Sequence, residues 1–245
     1  MTLADAVLLL AAGFGSGLIG YLTGLASLVS YPALLAVGLP PVAANVTNTV
    51  ALVGVGVGAT TNSIREITGE GRRIIPLTVA AVVGGLIGAV LLLAGPAETF
   101  EAVVPWFVAL AALALLLQPW LRTLGGDIDR PRTYIAAMVV VAVYGGYFGA
   151  GAGVAFLALT LLCTSETIWR AQLFKSYFLG VANLVAALWF IAVGTVDWWA
   201  AAIMAVGMFV GGWCGPPVSR RIPASVLRIA VAAAGFGLAA FLWAN

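Results

Sequence analysis

Apolar stretches long enough to cross a bilayer recur along this chain from end to end, parted only by short polar connections. A transmembrane helix needs about 20 apolar residues, so the recurrence leaves no room for a soluble domain. The 245 residues are 63% hydrophobic and 8% charged, with a mean hydropathy of +1.12. Soluble domains are about 25% charged. The fold class expected is therefore all-α, a polytopic bundle of transmembrane helices. A net charge of +2 gives no case for nucleic-acid binding. There is no His, which removes His catalysis, His metal sites and His proton relays together. Cys163 and Cys214 lie in or beside apolar segments without metal-ligand spacing, and they read as buried small hydrophobes. No enzyme activity, cofactor or metal is expected. Met1 to Asp5 lacks a positive n-region and a clear cleavage site, so it reads as the start of the first helix.

The apolar segments fall in two sets. The first contains Leu3–Thr23, the short Pro-containing Leu25–Val37, then Val42–Ser63, Ile75–Leu93 and Val103–Leu121. The second contains Tyr134–Ala150, the short Val154–Leu162, then Ile168–Val193, Trp198–Cys214 and Val226–Trp243. Gly17, Gly20 and Gly24 match Gly146, Gly149 and Gly153 in order, and Gly84 and Gly88 match Gly207 and Gly211. The expected organisation is two repeats, 1–121 and 134–245, joined by a cytoplasmic connection at 122–133. Loop charges suggest how they are oriented. Arg65, Arg72 and Arg73 follow the third segment of the first half, with Glu98 and Glu101 after the fourth. In the second half Asp197 follows the third segment, and Arg220 and Arg221 follow the fourth. Positive loops stay in the cytoplasm, so equivalent loops face opposite sides and the repeats are inverted. Both termini then lie outside, provided the short segments count as crossings; were they re-entrant, the halves would be parallel.

Within these segments, Arg170 and Lys175 are the anomaly. A cation at the membrane centre costs roughly 2.5–3.5 kcal/mol on insertion scales, and a bound anion would make it tolerable. The two are about 140° apart around a helix, so both reach one cavity only if their side chains bend. Arg170 has another explanation, in pairing with Glu166 or snorkelling to the headgroups. Lys175, deeper in, could snorkel too. Gln172 and Ser176 on the same segment, and Asn45, Thr47 and Asn48 near the start of its counterpart, offer hydrogen bonds to oxyanion oxygens. The bland reading of the Asn and Thr residues is helix–helix hydrogen bonding. Gly20, Gly24, Gly149 and Gly153 precede the short segments. They read either as a helix contact face or as the breaks of discontinuous helices, whose exposed N–H groups favour anions. Trp169, Trp189, Trp198, Trp199 and Trp243 read as interfacial anchors. If the Gly-rich faces served as dimer contacts, the chain would be a homodimer.

The pattern resembles a known family. Tyr31-Pro32 after a Gly-rich first helix, then Gly38-Leu-Pro-Pro41-Val-Ala-Ala-Asn-Val-Thr47-Asn48, resemble the TauE/SafE sulfite exporter family, also called the toluene-sulfonate uptake permease family. Gly149-Ala-Gly-Ala-Gly153, Arg170-Ala-Gln-Leu-Phe-Lys-Ser-Tyr177-Phe178, Gly194-Thr-Val-Asp197-Trp198 and Arg220-Arg-Ile-Pro223 continue the likeness. Ser27, Leu28 and Val29 depart from it, standing where many members have more Gly. Lys175 stands where many have an uncharged residue. The resemblance implies a secondary transporter in a bacterial inner membrane, exporting sulfite, organosulfonates or related sulfur-containing anions by alternating access. Its partners would be a small anion and membrane lipid.

Overall fold

The computed structural model describes residues 2–67, 71–123, 131–219 and 224–244. All described secondary structure is helical: α1 (Leu3–Thr23), α2 (Ser27–Ala36), α3 (Pro41–Ile67), α4 (Gly71–Ala94), α5 (Ala97–Thr123), α6 (Pro131–Tyr147), α7 (Ala152–Cys163), α8 (Ile168–Val193), α9 (Trp198–Ser219) and α10 (Ala224–Ala244). Among the described residues five stretches are long and apolar enough to cross a membrane: Leu3–Thr23, Pro41–Ala59, Ile74–Ala94, Arg170–Val193 and Trp198–Gly215. The chain is a polytopic helical membrane protein.

Several helix ends have a local cause. Thr2 caps α1: its Oγ1 accepts from the Asp5 N–H (3.2 Å) while its own N–H donates to Asp5 Oδ2 (2.6 Å), the reciprocal arrangement of a capping box. Gly24 ends α1 at φ +84, a left-handed conformation that glycine adopts without steric cost. Gly149 (φ +76) and Gly151 (φ +81) turn the chain between α6 and α7. Thr167 Oγ1 caps α8 by accepting from the Arg170 N–H at 3.4 Å.

Two boundaries differ from the sequence expectation. The loop expected at 65–73 is mostly helix, since α3 runs to Ile67 and α4 begins at Gly71. The fifth helix starts at Ala97 rather than Val103, with Thr99 and Phe100 N–H groups already donating to Pro96 O. Hydropathy cannot see that first turn because Glu98 and Glu101 interrupt it. The positive charges used to orient the halves lie outside the described residues: this holds for Arg220 and Arg221, and for the side chains of Arg65, Arg72 and Arg73. The side chain of Trp169 lies outside them too. Trp198 (58% exposed), Trp199 (76%) and Trp243 (51%) sit on the outer surface, whereas Trp189 is partly buried and packs against the core.

Small residues decide which helices touch. Apolar side chains gain nothing over lipid by meeting each other, so helices in a bilayer associate where backbones can approach closely. A Cβ on Gly13 would stand 2.5 Å from Met204 O and one on Gly17 2.3 Å from Met208 O. The contacts advance together, so α1 and α9 run in the same direction. Gly84 meets Val139 O at 2.5 Å and Gly88 meets Val143 O at 2.1 Å, so α4 and α6 also run in the same direction. Gly54 against Ala205 O (2.6 Å) and Gly58 against Phe209 O (2.5 Å) set α3 alongside α9 in the same sense.

The pair α3 and α8 is different. A Cβ on Gly56 would lie 3.0 Å from Gly180 Cα. Thr47, before Gly56, receives a hydrogen bond from the Asp197 N–H (3.1 Å), far beyond Gly180. At 1.5 Å rise per residue, a parallel pairing could not reach that contact. The two helices cross antiparallel, glycine to glycine.

Candidate functional site

The two chain breaks meet at the centre of the molecule. A Cβ on Gly153 would lie 2.4 Å from Gly24 Cα, and one on Gly24 2.5 Å from Gly153 C. The end of α1 therefore rests directly on the first turn of α7. A small cavity of about 30 Å³ lies beside this contact. Gly20, Gly24, Ser27, Gly149, Lys175 and Ser176 contribute to its lining, with Gly56, Gly180 and Asn183 from the α3–α8 crossing. Its size suits a water-sized group.

Lys175 is 1% exposed. Its Nζ donates to Tyr21 O at 2.7 Å and Gly20 O at 3.3 Å, and lies 5.8 Å from the Tyr21 ring centroid. Both acceptors are in the last turn of α1, where the helix dipole is negative; Gly20 O also accepts the Gly24 N–H at 2.9 Å, whereas Tyr21 O is among the carbonyls a helix end leaves without an intrahelical partner. Gln172 Nε2 serves the same turn, donating to Tyr21 O and, at 3.5 Å, to Leu22 O. Snorkelling is thus not how Lys175 is accommodated: it reaches inward, to a backbone terminus. Ser176 Oγ donates to Gln172 O at 3.0 Å, one turn back on its own helix.

Arg170 is placed elsewhere. Its Nε lies 2.7 Å from Glu166 Oε2, its side chain is 40% exposed, and its guanidinium sits 5.7 Å from the Phe174 ring centroid. This is the pairing with Glu166 that the sequence offered, and Arg170 does not line the central cavity.

Asn45, Thr47 and Asn48 of α3 are wholly buried, and each bonds to a different element. Asn45 Nδ2 donates to Tyr147 O at 2.9 Å, and Asn48 Nδ2 to Ser27 Oγ at 3.1 Å. Thr47 Oγ1 takes the Asp197 N–H already described. The side-chain atoms that Asn45 and Asn48 leave buried without a partner are oxygens, acceptors that an oxyanion cannot use. None of the three lines the cavity. Sequence order suggested that the polar starts of α3 and α8 face one another. The antiparallel crossing instead sends them to opposite ends of the pair.

The structure thus gathers Gly20, Gly24, Gly149, Lys175 and Ser176 around one cavity, sets Gly153 against Gly24, and leaves Asn45, Thr47, Asn48, Arg170 and Gln172 outside it. Sequence reasoning missed Gly56 and Gly180. The available signal was a glycine inside each of the two long polar-headed segments. A second, apolar groove of about 240 Å³ lies on the outer side of the same crossing, lined by Val53, Val57, Thr61, Tyr177, Val181 and Leu184 with Gly56 and Gly180. Only those two glycines line both spaces.

Asn45 gives a direct check on the buried bonds. Asn45→Ala leaves the Tyr147 carbonyl without its donor, at a cost of about 1–3 kcal/mol. At 2–4 °C per kcal/mol, the melting temperature in detergent should fall by roughly 2–12 °C.

A helical bundle with paired chain breaks around a buried, lysine-lined cavity is an architecture that membrane transporters use. The family model described as "Sulfite exporter TauE/SafE" matches residues 9–242, and the chain belongs to that family. It is 30% identical over 213 residues to "Probable membrane transporter protein YfcA" of Escherichia coli (strain K12), covering 82% of this chain and 75% of that one. It is 25% identical over 244 residues to "Probable membrane transporter protein ORF9" of Sinorhizobium sp, covering 97% and 92%. A "Probable membrane transporter protein" of Haemophilus influenzae is 23% identical over 239 residues, covering 95% and 92%. No solved structure matches.

Proposed function

We propose that this protein is a secondary carrier that exports small sulfur-containing anions, sulfite or an organosulfonate, across the bacterial inner membrane. The observation that carries the reading is Lys175: a buried cation lining a cavity where two broken helices meet, with no carboxylate beside it among its bonds. The starts of α2 and α7 lie at the same centre, and helix N-termini favour anions. Lys175 and Ser176 would face the anion, with Ser27 and Asn183 at the cavity wall. Asn45, Thr47, Asn48 and Gln172 would hold the surrounding helices, and Arg170 would lie at the rim.

The mechanism proposed is alternating access between inverted repeats. Pairing α1–α5 with α6–α10 maps the α1–α9 contact onto α6–α4, and the counterparts α3 and α8 point in opposite directions. An in-plane twofold relation would produce this arrangement. It would place 122–133 in the cytoplasm and both termini outside. The cavity is too small for sulfite as it stands, which fits a closed state that must open to either side. The glycine crossing of α3 and α8 is where the halves would move. An inside-negative potential drives anion export by about 2.3 kcal/mol per charge per 100 mV, so export needs no second ion.

Proteoliposomes test the reading. Labelled sulfite entering against unlabelled sulfite inside should saturate and should be accelerated by the internal anion. Linear, non-saturating flux without counterflow would make the protein an anion channel.

A further inference from the structure

We infer that the last turn of α1 is a monovalent-cation site, and that the chain fills it with its own ammonium, that of Lys175. The ligand class it takes is a small primary ammonium.

Three observations carry this. The acceptors are backbone carbonyls of Gly20 and Tyr21, at 3.3 and 2.7 Å from Nζ. Neutral oxygens at the negative end of a helix are the donor set by which discontinuous transport helices hold free cations. The bonds are closed off from water, since Lys175 is 1% exposed and Tyr21 is 1% exposed. The Tyr21 ring, 5.8 Å from Nζ, adds a cation–π face.

The other half of the molecule shows what the same turn looks like without the cation. Gln172 is the fifth residue of α8 and donates to Tyr21 O, near the end of α1; Asn45 is the fifth residue of α3 and donates to Tyr147 O, the end of α6. The eighth residues differ. Lys175 continues onto the α1 carbonyls, whereas Asn48 turns to Ser27 Oγ. A neutral amide in each half therefore caps the opposite half's first helix, and the charge is added on one side only.

Filling the site covalently has a consequence for coupling, and that part rests on the transport reading. The position a free cation would occupy is already taken, so anion flux should not require one. Replacing Na⁺ and K⁺ by choline should leave flux through the parent protein unchanged, and a strict Na⁺ or K⁺ requirement overturns this consequence.

The site itself is tested by melting of detergent-solubilised protein, with no transport needed. Lys175→Ala takes a charged donor from two buried carbonyls, which keep only the Gly24 N–H on Gly20 O and Gln172 Nε2 on Tyr21 O, and should melt roughly 5–10 °C below the parent. Millimolar methylammonium or ethylammonium should recover at least half of that loss and leave the parent unmoved. Tetramethylammonium, which has charge but no N–H, should recover none. Rescue by tetramethylammonium equal to that by methylammonium, or no rescue by either primary amine, overturns the site. Should Lys175→Ala not fold, Lys175→Met decides the matter: it has similar length and no donor, and should melt well below the parent. A Lys175→Met protein as stable as the parent overturns the proposal. Amine-dependent melting in a protein that carries no anion would uphold the cation site and remove the transport reading instead.

Discussion

Gly24→Val should be among the most damaging single substitutions in the described structure, with Gly153→Val beside it. A Cβ at 153 would fall 2.4 Å from Gly24 Cα, and one at 24 would fall 2.5 Å from Gly153 C. The obstacle is backbone on both sides, so no side chain can swing away. Overpacking of this kind costs about 1–3 kcal/mol, occasionally more. At position 24 the φ of +84 adds a further cost of order 1–3 kcal/mol for a β-branched residue. Together these amount to a drop in melting temperature of roughly 10 °C or more for Gly24→Val. Gly237→Val is the control, because a Cβ there has nothing within 4 Å, and helix propensity mildly favours the change. Thermal melting of the three variants in one detergent reads the result. Equal melting of Gly153→Val and Gly237→Val would mean that the two broken helices do not meet.

The second large effect separates the two cations that the sequence presented together. Lys175→Ala should abolish transport and lower stability, whereas Arg170→Ala should do neither to any great extent. Among the described residues, Lys175 is buried and bonds to the end of α1 beside the Tyr21 ring, and it is the charged side chain lining the cavity. Losing it strips a buried helix terminus and the cavity of that group. Arg170 is 40% exposed in its side chain and pairs with Glu166 four residues away. Exposed ion pairs are worth about 0.2–1 kcal/mol, so Arg170→Ala should shift melting by no more than a few degrees. A comparison of sulfite flux at matched protein load, together with melting, reads both halves of the prediction. Similar losses in the two variants would mean that burial does not decide which cation matters.

Much of the fold was legible from hydropathy, because lipid demands long apolar helices and little else. The breaks after Gly24 and before Gly153 were readable from glycine spacing. Two things were not. The first turn of α5 carries Glu98 and Glu101, so its helical character comes from bonds to Pro96 O and not from apolar periodicity. The direction in which α3 crosses α8 depends on contacts 124 and 150 residues apart in sequence, Gly56 with Gly180 and Thr47 with Asp197. Local pattern carries no information about such pairs. That missing direction is why Asn45, Thr47 and Asn48 read as partners of Lys175 when they lie toward the other end of the crossing. Lys175 itself was visible as an anomaly. Its backbone partners were invisible, because carbonyls at a helix end have no sequence signature.

The most direct measurement is sulfite and organosulfonate flux in proteoliposomes containing the parent, Arg170→Ala or Lys175→Ala. Saturable anion flux in the parent, kept by Arg170→Ala and lost in Lys175→Ala while that protein remains folded, is the expected result. Flux in the Lys175→Ala protein equal to the parent's, or a parent no more permeable to these anions than empty vesicles, would contradict the account.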